Sequence, residues 1–233
     1  MNGHDNPRIV GQVKEVTSLA NPLIKDIKAL SLKKFRDQQN AFMAEGLKLI
    51  IDALDLGWSI RTLVFAKAGR GNPAVEKVAA RTVAAGGTVL EVSEKVLVAI
   101  TRRDNPQMVV GVFTQQFLPL KELRPGNGDV WVALDRVRDP GNLGTIIRTV
   151  DAVGARGIIL VGETTDPFSV ETVRATMGSI FAVPVAKATQ DAFLAWRNGF
   201  PGLVVGTHLK GAVDYRTVDF SRGPVLLMMG NEQ

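Results

Sequence analysis

The amino-acid sequence predicts an α/β protein that contains a parallel sheet. The segment from Val130 to Gly162 has the pattern strand, polar loop, helix, strand, because the apolar runs VWVAL and GIILVG flank a stretch with helical periodicity. Such a βαβ unit makes its two strands parallel and its crossover right-handed. A second series of alternating helix and strand patterns lies between Ala41 and Thr114, which predicts a separate small α/β domain.

The first predicted element is a basic helix that begins at Asn21. Pro22 stands in its first turn, and Leu23, Ile27 and Leu30 form an apolar stripe. The basic side chains of this helix could contact phosphates or could equally form a solvated face. They are Lys25, Lys28, Lys33, Lys34 and Arg36. A second basic cluster, Arg102 and Arg103, falls in the turn-like segment TRRDNPQ and could also hold backbone phosphates.

Three segments organise the chain. Residues 1–114 form the predicted N-terminal domain, in which runs such as EGLKLIIDALDLG and MVVGVFT alternate between helix and strand patterns. Residues 115–129 carry two prolines and two glycines and therefore predict a linker. Residues 130–233 form the C-terminal domain with the parallel sheet.

The loop of the βαβ unit is where a ligand is expected. It runs from Asp135 to Gly141, and we expect Asn142 to cap the following helix, which Gly154 ends. Ligands of parallel sheets bind beyond the carboxyl ends of the strands, where this loop lies. Its glycine spacing matches neither GxxxxGK[ST] nor GxGxxG, which excludes the common phosphate loops. The apolar stripe of the helix is Leu143, Ile146, Ile147, Val150 and Val153.

Composition excludes several other functions. The 233 residues contain no cysteine, and His4 and His208 are the two histidines, so we expect no metal site and no Ser-His-Asp triad. No apolar run reaches the length of a membrane helix, and the start MNGHDNPRIV lacks the apolar core of a signal peptide, so we expect no membrane partner and a cytoplasmic protein. The net charge of +5 favours a polyanionic partner such as nucleic acid.

The spacing of Asn142, Gly144 and Arg148 resembles the first signature motif of the SpoU (TrmH-type) RNA ribose methyltransferases. SVETVRATMGSIFAVPV and VLLMMGNE are similar to later segments of that family. The resemblance implies a SPOUT-superfamily α/β knot domain at the C-terminus. The run AEGLKLI, in the position of the family's substrate-binding domain, implies a small N-terminal domain of L30e-like fold.

This resemblance also implies an activity: transfer of a methyl group from S-adenosylmethionine to a ribose 2'-hydroxyl of rRNA or tRNA, by a homodimer. It marks Arg148 and Asn142 as catalytic. A guanidinium keeps its proton in proteins and is a poor general base, so Arg148 is better suited to hold a phosphate or to stabilise a developing alkoxide, and the base stays open. The implied cofactor-binding residues are Thr207, His208, Gly230, Asn231 and Glu232.

The sequence departs from the family pattern in one respect. The third family motif, which carries the loop and helix that complete the knot, has no counterpart, so we expect a C-terminal domain truncated before the knot is complete. The apolar run VLLMM, as a strand of a parallel sheet, needs cover on both faces, and we expect no helix after it in this sequence to provide that cover. An alternative function is a non-catalytic RNA-binding module derived from the same family. A base methyltransferase on the same fold fits less well, because the first motif is of the ribose type.

Overall fold

A computed structural model describes residues 11–208 and 210–230 of the chain. The structure divides between Gln115 and Gln116 into two units, each with its own five-stranded sheet. Both units are α/β, as the sequence predicts. No helix in the described ranges is long and apolar enough to cross a membrane.

In the described part of the N-terminal unit, residues 11–115, there are five strands and five α-helices. The strands are β1 (Gln12–Val16), β2 (Ala41–Glu45), β3 (Ile60–Ala66), β4 (Thr88–Val92) and β5 (Val109–Thr114). The helices are α1 (Pro22–Ala29), α2 (Lys33–Gln39), α3 (Leu47–Asp55), α4 (Pro73–Ala84) and α5 (Glu94–Thr101). The strand order is β1-β4-β3-β5-β2, and β5 is antiparallel to both of its neighbours. Helix α1 packs against α5.

The single basic helix predicted from Asn21 is in fact two helices, α1 and α2. The Asn21 side chain caps α1 by accepting from the backbone N–H of Leu23 at 2.9 Å. The helix ends at Leu30, and the backbone of Leu32 is extended before α2 begins. The buried Arg36 guanidinium donates to the carbonyl oxygen of Leu30 at 2.8 Å, so it satisfies a backbone acceptor at the end of α1.

The C-terminal unit contains a sheet in which every strand pair is parallel, which confirms the predicted βαβ arrangement. Its order is β8-β7-β6-β10-β9. Its strands are β6 (Val130–Asp135), β7 (Gly157–Val161), β8 (Val185–Ala188), β9 (Leu203–Gly206) and β10 (Val225–Met229). Its helices are α6 (Pro140–Ala152), α7 (Val170–Ala175) and α8 (Gln190–Asn198).

The segment predicted to be a linker is packed on the C-terminal unit. The backbone N–H of Leu118 donates to the carbonyl oxygen of Val185 at 2.8 Å, and Leu118 forms an isolated bridge with Ala186. Leu123 is buried in the core of this unit. Residues 116–129 therefore belong to the second unit, because Leu123 is buried in its core and the partly buried Leu118 and Leu120 pack against the same core.

Different helices cover the two faces of the parallel sheet. One face carries a core that includes Trp131, Ile159 and Leu226, against which Phe193 and Trp196 of α8 pack. On the other face lie α6 and α7, with Leu143, Ile147 and Val150 buried beneath α6. Val153, the last residue of the predicted stripe, is instead 70% exposed.

One face of the last strand, β10, packs on this core, and the other face borders a groove. Leu226 is fully buried and Met228 packs against the same core. Val225 and Leu227 point the opposite way and line an apolar groove of about 880 Å³, here called the β9–β10 groove. The predicted truncation before the knot is complete stays a prediction.

Candidate active site

A cleft of about 410 Å³ opens at the carboxyl ends of β6 and β10. The chain leaves β6 towards β7 on one side, and β10 lies on the other side, so this is the point where the strand order reverses. Parallel sheets bind ligands at such a position. We call it the switch-point cleft. Its lining residues are Leu134, Arg136, Val137, Arg138, Asp139, Asn142, Thr145, Ile146, Met229 and Gly230.

The loop that forms one wall of the cleft is tied to the neighbouring strand end. The backbone N–H of Arg136 donates to the carbonyl oxygen of Val161 at 3.0 Å, and that of Thr165 donates to Val137 at 2.7 Å. Arg136 has the left-handed backbone angle φ of 52°, which is uncommon for a residue with a side chain. A fixed loop with one strained residue is typical of functional sites.

Arg136 is held by its neighbour in the chain. Its guanidinium binds the Asp135 carboxylate through Nε at 3.0 Å and Nη2 at 2.7 Å. The hydrogen bond and the negative charge of Asp135 raise the pKa of Arg136 above its ordinary value. A charge paired in this way is less available to a ligand.

Asp139, rather than Asn142, caps helix α6. Its carboxylate accepts from the backbone N–H of Asn142 at 2.6 Å, and Pro140 occupies the first turn. The predicted cap was therefore wrong by three residues, because Pro140 is already suited to the first helical position and leaves the cap to the residue before it. Asn142 instead lies in the first turn of α6, where it lines the switch-point cleft.

Arg148 lies two turns along α6, in a shallower cavity of about 540 Å³. The walls of this Arg148 cavity come from α6 and from the segment after α7, including Thr176, Met177 and Ser179. Thr145 lines both the Arg148 cavity and the switch-point cleft. The structure therefore places the two predicted catalytic residues in adjoining cavities rather than in one.

Gly144 allows α7 to pack closely against α6. A Cβ atom at this position would overlap the Cβ of Ala175 and lie 2.9 Å from the carbonyl carbon of the same residue. The segment that follows Ala175 forms a wall of the Arg148 cavity. Gly144 thus sets the position of that wall relative to Arg148.

The predicted cofactor residues fall at the ends of β9 and β10. Thr207 and His208 line the β9–β10 groove, and Gly230 lines the switch-point cleft. The backbone N–H of Thr207 donates to the carbonyl oxygen of Met228 at 2.9 Å, and His208 accepts from the backbone N–H of Lys210 through Nδ1 at 3.0 Å. Asn231 and Glu232 lie outside the described residues.

Most of the predicted RNA-binding side chains are at the surface of the N-terminal unit. Arg36 is the exception, since it is 3% exposed, and its assignment to RNA binding was wrong because the guanidinium is used inside the unit. Lys33 pairs with Asp37, and Arg103 lies 3.7 Å from Glu45. The residues that are exposed are Lys25, Lys33, Lys34, Arg102 and Arg103, and Lys28 is half-buried.

No group of three or more potential metal ligands occurs among the residues that the structure describes. Cleft residues that the sequence reasoning did not single out include Arg138, Thr145 and Met229. The sequence does indicate that Arg138 could line a ligand site, because this residue lies in the polar loop that follows β6. For Met229 and Thr145 the sequence gives no comparable signal, because their proximity depends on β10 lying beside β6.

Comparison with known proteins connects this geometry to a family. The MRM3-like substrate binding domain matches residues 21–111, and the SpoU rRNA Methylase family matches residues 129–233. The 23S rRNA (uridine(2479)-2'-O)-methyltransferase of Streptomyces viridochromogenes is 31% identical over 212 residues, which cover 84% of this chain and 70% of the relative. The chain belongs to the SpoU rRNA methylase family.

Other relatives align over most of both chains. The 23S rRNA (guanosine(2553)-2'-O)-methyltransferase RlmP of Bacillus subtilis (strain 168) is 29% identical over 94% of this chain and 83% of its own length. The AdoMet-bound rRNA methyltransferase from Sinorhizobium meliloti is 66% identical, with a TM-score of 0.90 and coverage of 95% and 82% of the two chains. The resemblance carried by Asn142, Gly144 and Arg148 is thereby confirmed.

Proposed function

We propose that this chain is an RNA 2'-O-methyltransferase that uses S-adenosylmethionine and acts on ribosomal RNA. The observation that carries the proposal is the switch-point cleft, which joins the first SpoU motif on α6 to the end of β10. The relatives from Streptomyces viridochromogenes and Bacillus subtilis are named as 23S rRNA 2'-O-methyltransferases. Only RNA offers the 2'-hydroxyl that such enzymes modify.

The ends of β9 and β10 fit the cofactor. Gly206 ends β9 and Gly230 follows β10. Apart from each glycine and its chain neighbours, no described atom lies within 4 Å of a Cβ atom built at either position. The backbone there can approach a ligand closely, and the apolar β9–β10 groove lies beside it. Thr207, His208 and Gly230 would hold S-adenosylmethionine, together with Asn231 and Glu232. When bound, the cofactor supplies an electrophilic methyl group on a sulfonium.

The chain's own task is alignment and charge stabilisation. Methyl transfer to a ribose oxygen requires the acceptor and donor to lie in line near contact distance, which a preformed cleft provides. Arg148 would bind a phosphate of the acceptor strand or stabilise negative charge on the ribose oxygen, roles that suit a guanidinium. Asn142, in the first turn of α6, would orient the acceptor nucleotide from the adjoining cleft.

The N-terminal unit would supply RNA affinity. The predicted basic residues Lys25 and Lys28 lie on α1, Lys33 and Lys34 lie on α2, and Arg102 and Arg103 follow α5. Helix α1 packs against α5. Such a basic surface would hold RNA phosphates. The predicted division, with residues 1–114 as the RNA-binding domain, fits this role. We also propose a homodimer that works in the cytoplasm, where ribosomal RNA is available.

The test has three measurements on the purified chain. Isothermal titration with S-adenosylmethionine reports cofactor binding, and titration with transcribed 23S rRNA reports RNA binding. Incorporation of labelled methyl groups into the same RNA, followed by mapping of 2'-O-methyl positions, reports the reaction. Binding with incorporation at a ribose supports the proposal. RNA binding without any cofactor heat at high micromolar concentration would instead identify a non-catalytic RNA-binding module, and a methylated base would overturn the ribose assignment.

A further inference from the structure

Two of the three charged side chains that line the switch-point cleft already bind other groups of the protein. Arg136 is paired with Asp135, and the carboxylate of Asp139 is used as the cap of α6. Arg138 is the remaining charged residue of the described lining. Its side chain is exposed, and no described residue forms an ion pair or hydrogen bond with it. The charged group that is left to bind a ligand at the mouth of the cleft is therefore the positive guanidinium of Arg138.

The loop conformation separates Arg138 from Arg136. Arg136 takes a left-handed φ of 52°, and its side chain runs towards Gly162, where an added Cβ would lie 3.2 Å from the Cγ of Arg136. The hydrogen bond from Thr165 to Val137 then fixes the residue between the two arginines. One guanidinium is directed along the end of β7, while the other borders the cleft. The backbone of Arg138 is thus positioned before any ligand arrives.

Arg138 and Arg148 lie on either side of Thr145, which lines both cavities. An α-helix rises about 1.5 Å per residue, so Pro140, which follows the loop, and Arg148 are separated by about 12 Å along α6. Long arginine side chains at the two ends of such a span can reach different phosphates of one RNA strand. A guanidinium suits this role because it binds phosphate oxygens in pairs.

We propose that Arg138 anchors a backbone phosphate of the RNA strand that carries the acceptor ribose, next to the nucleotide displayed towards Arg148. The inference rests on the proposed function and names a substrate-positioning contact of the same site. Arg138 fixes the register of the strand in the cleft, and it takes no part in the transfer of the methyl group. The other anion that a guanidinium in this place could bind is the carboxylate of S-adenosylmethionine, and the test separates the two.

The experiment compares the full chain with Arg138→Ala, Arg138→Lys and Arg222→Ala. Arg222 is an exposed arginine of the same unit, paired with Asp219 and outside the cleft lining, so its variant controls for the loss of one positive charge. Binding to an oligouridylate of about twelve nucleotides is measured by fluorescence anisotropy over a series of salt concentrations. Methyl transfer to transcribed 23S rRNA gives kcat and KM, and titration calorimetry gives the affinity for S-adenosylmethionine.

The expected result for Arg138→Ala is a loss of about three- to tenfold in RNA affinity and a salt slope smaller by about 0.7, the value for one phosphate contact on a single strand. KM for RNA rises by a similar factor, kcat stays within about twofold, and cofactor affinity is unchanged. Arg138→Lys retains most of the salt slope, because it keeps the charge, but loses part of the affinity. Arg222→Ala behaves as the wild type.

Two results would overturn the inference. One is a salt slope and KM for RNA in Arg138→Ala that equal those of the wild type. The other is a weakened affinity for S-adenosylmethionine with an unchanged RNA salt slope, which would assign Arg138 to the cofactor carboxylate. A third result would separate the two proposals. If Arg138→Ala lowers the salt slope of RNA binding but the wild type transfers no methyl group, the proposed function fails while the phosphate contact stands.

Discussion

Gly144 of α6 and Ala175 of α7 approach each other so closely that no side chain fits at position 144. A Cβ atom there would lie 2.9 Å from the carbonyl carbon of Ala175. Because the chain after Ala175 forms one wall of the Arg148 cavity, this contact links helix packing to the geometry around a predicted catalytic residue.

Replacing Gly144 by alanine should therefore destabilise the protein and disturb the site. We expect Gly144→Ala to lower the free energy of unfolding by about 1–3 kcal/mol, the usual effect of overpacking, and to slow methyl transfer because α7 must move. Urea unfolding and single-turnover assays measure the two effects. The control is Gly199→Ala, where the new Cβ would meet its nearest atom at an ordinary 3.7 Å. Equal stability of the two variants would contradict the close packing.

Removing the cap of α6 should cost stability at its first turn. Asp139→Ala deletes the carboxylate that accepts from the backbone N–H of Asn142 at 2.6 Å, and we expect a loss of about 1 kcal/mol. Asp139→Asn should keep most of the stability, since asparagine caps helices well. Thermal unfolding compares the variants. If alanine is tolerated as well as asparagine, the cap does not depend on this side chain.

Arg148 should matter for the rate of reaction more than for binding. We expect Arg148→Ala to reduce kcat by about 100-fold or more, as the loss of a group that stabilises developing charge does, with cofactor affinity unchanged. Thr149→Ala is the matched control, because Thr149 lines the same cavity and its hydroxyl donates to a carbonyl of its own helix, that of Thr145. Methyl incorporation under single-turnover conditions gives the rates. An undiminished rate in Arg148→Ala would remove the catalytic assignment.

Substitutions of Arg36 and Lys25 should affect different properties, namely stability and RNA affinity. The guanidinium of Arg36 is buried against the carbonyl oxygen of Leu30, so Arg36→Leu should lower the free energy of unfolding by about 1–3 kcal/mol, because it leaves that carbonyl unpaired. Lys25 is exposed on α1, so Lys25→Ala should weaken RNA binding without a change in stability.

Urea unfolding and RNA titrations on both variants test this pair. The assignment of the α1 surface to RNA would be wrong if Lys25→Ala bound RNA as the wild type does at every salt concentration. The structural role of Arg36 would be wrong if Arg36→Leu unfolded at the wild-type urea concentration.

The sequence was sufficient for the features that depend on local pattern. The continuous apolar runs of β6 and β7, with a helical stripe between them, predicted the parallel βαβ unit, and the spacing of Asn142, Gly144 and Arg148 predicted the family. The βαβ unit follows from the periodicity of residues that are close along the chain, and the family follows from the resemblance of a short motif to that of known proteins.

The tertiary structure decided which distant residues meet. That Met229 and Gly230 border the same cleft as Asn142 follows from β10 pairing with β6, and no local pattern specifies which strands become neighbours. Arg36 stands next to surface lysines in the sequence, yet it is buried, because its guanidinium donates to the carbonyl oxygen of Leu30 at the end of α1. The pairing of strands and the burial of side chains depend on the free energy of the whole core. They can therefore be determined only from the tertiary structure of the two sheets.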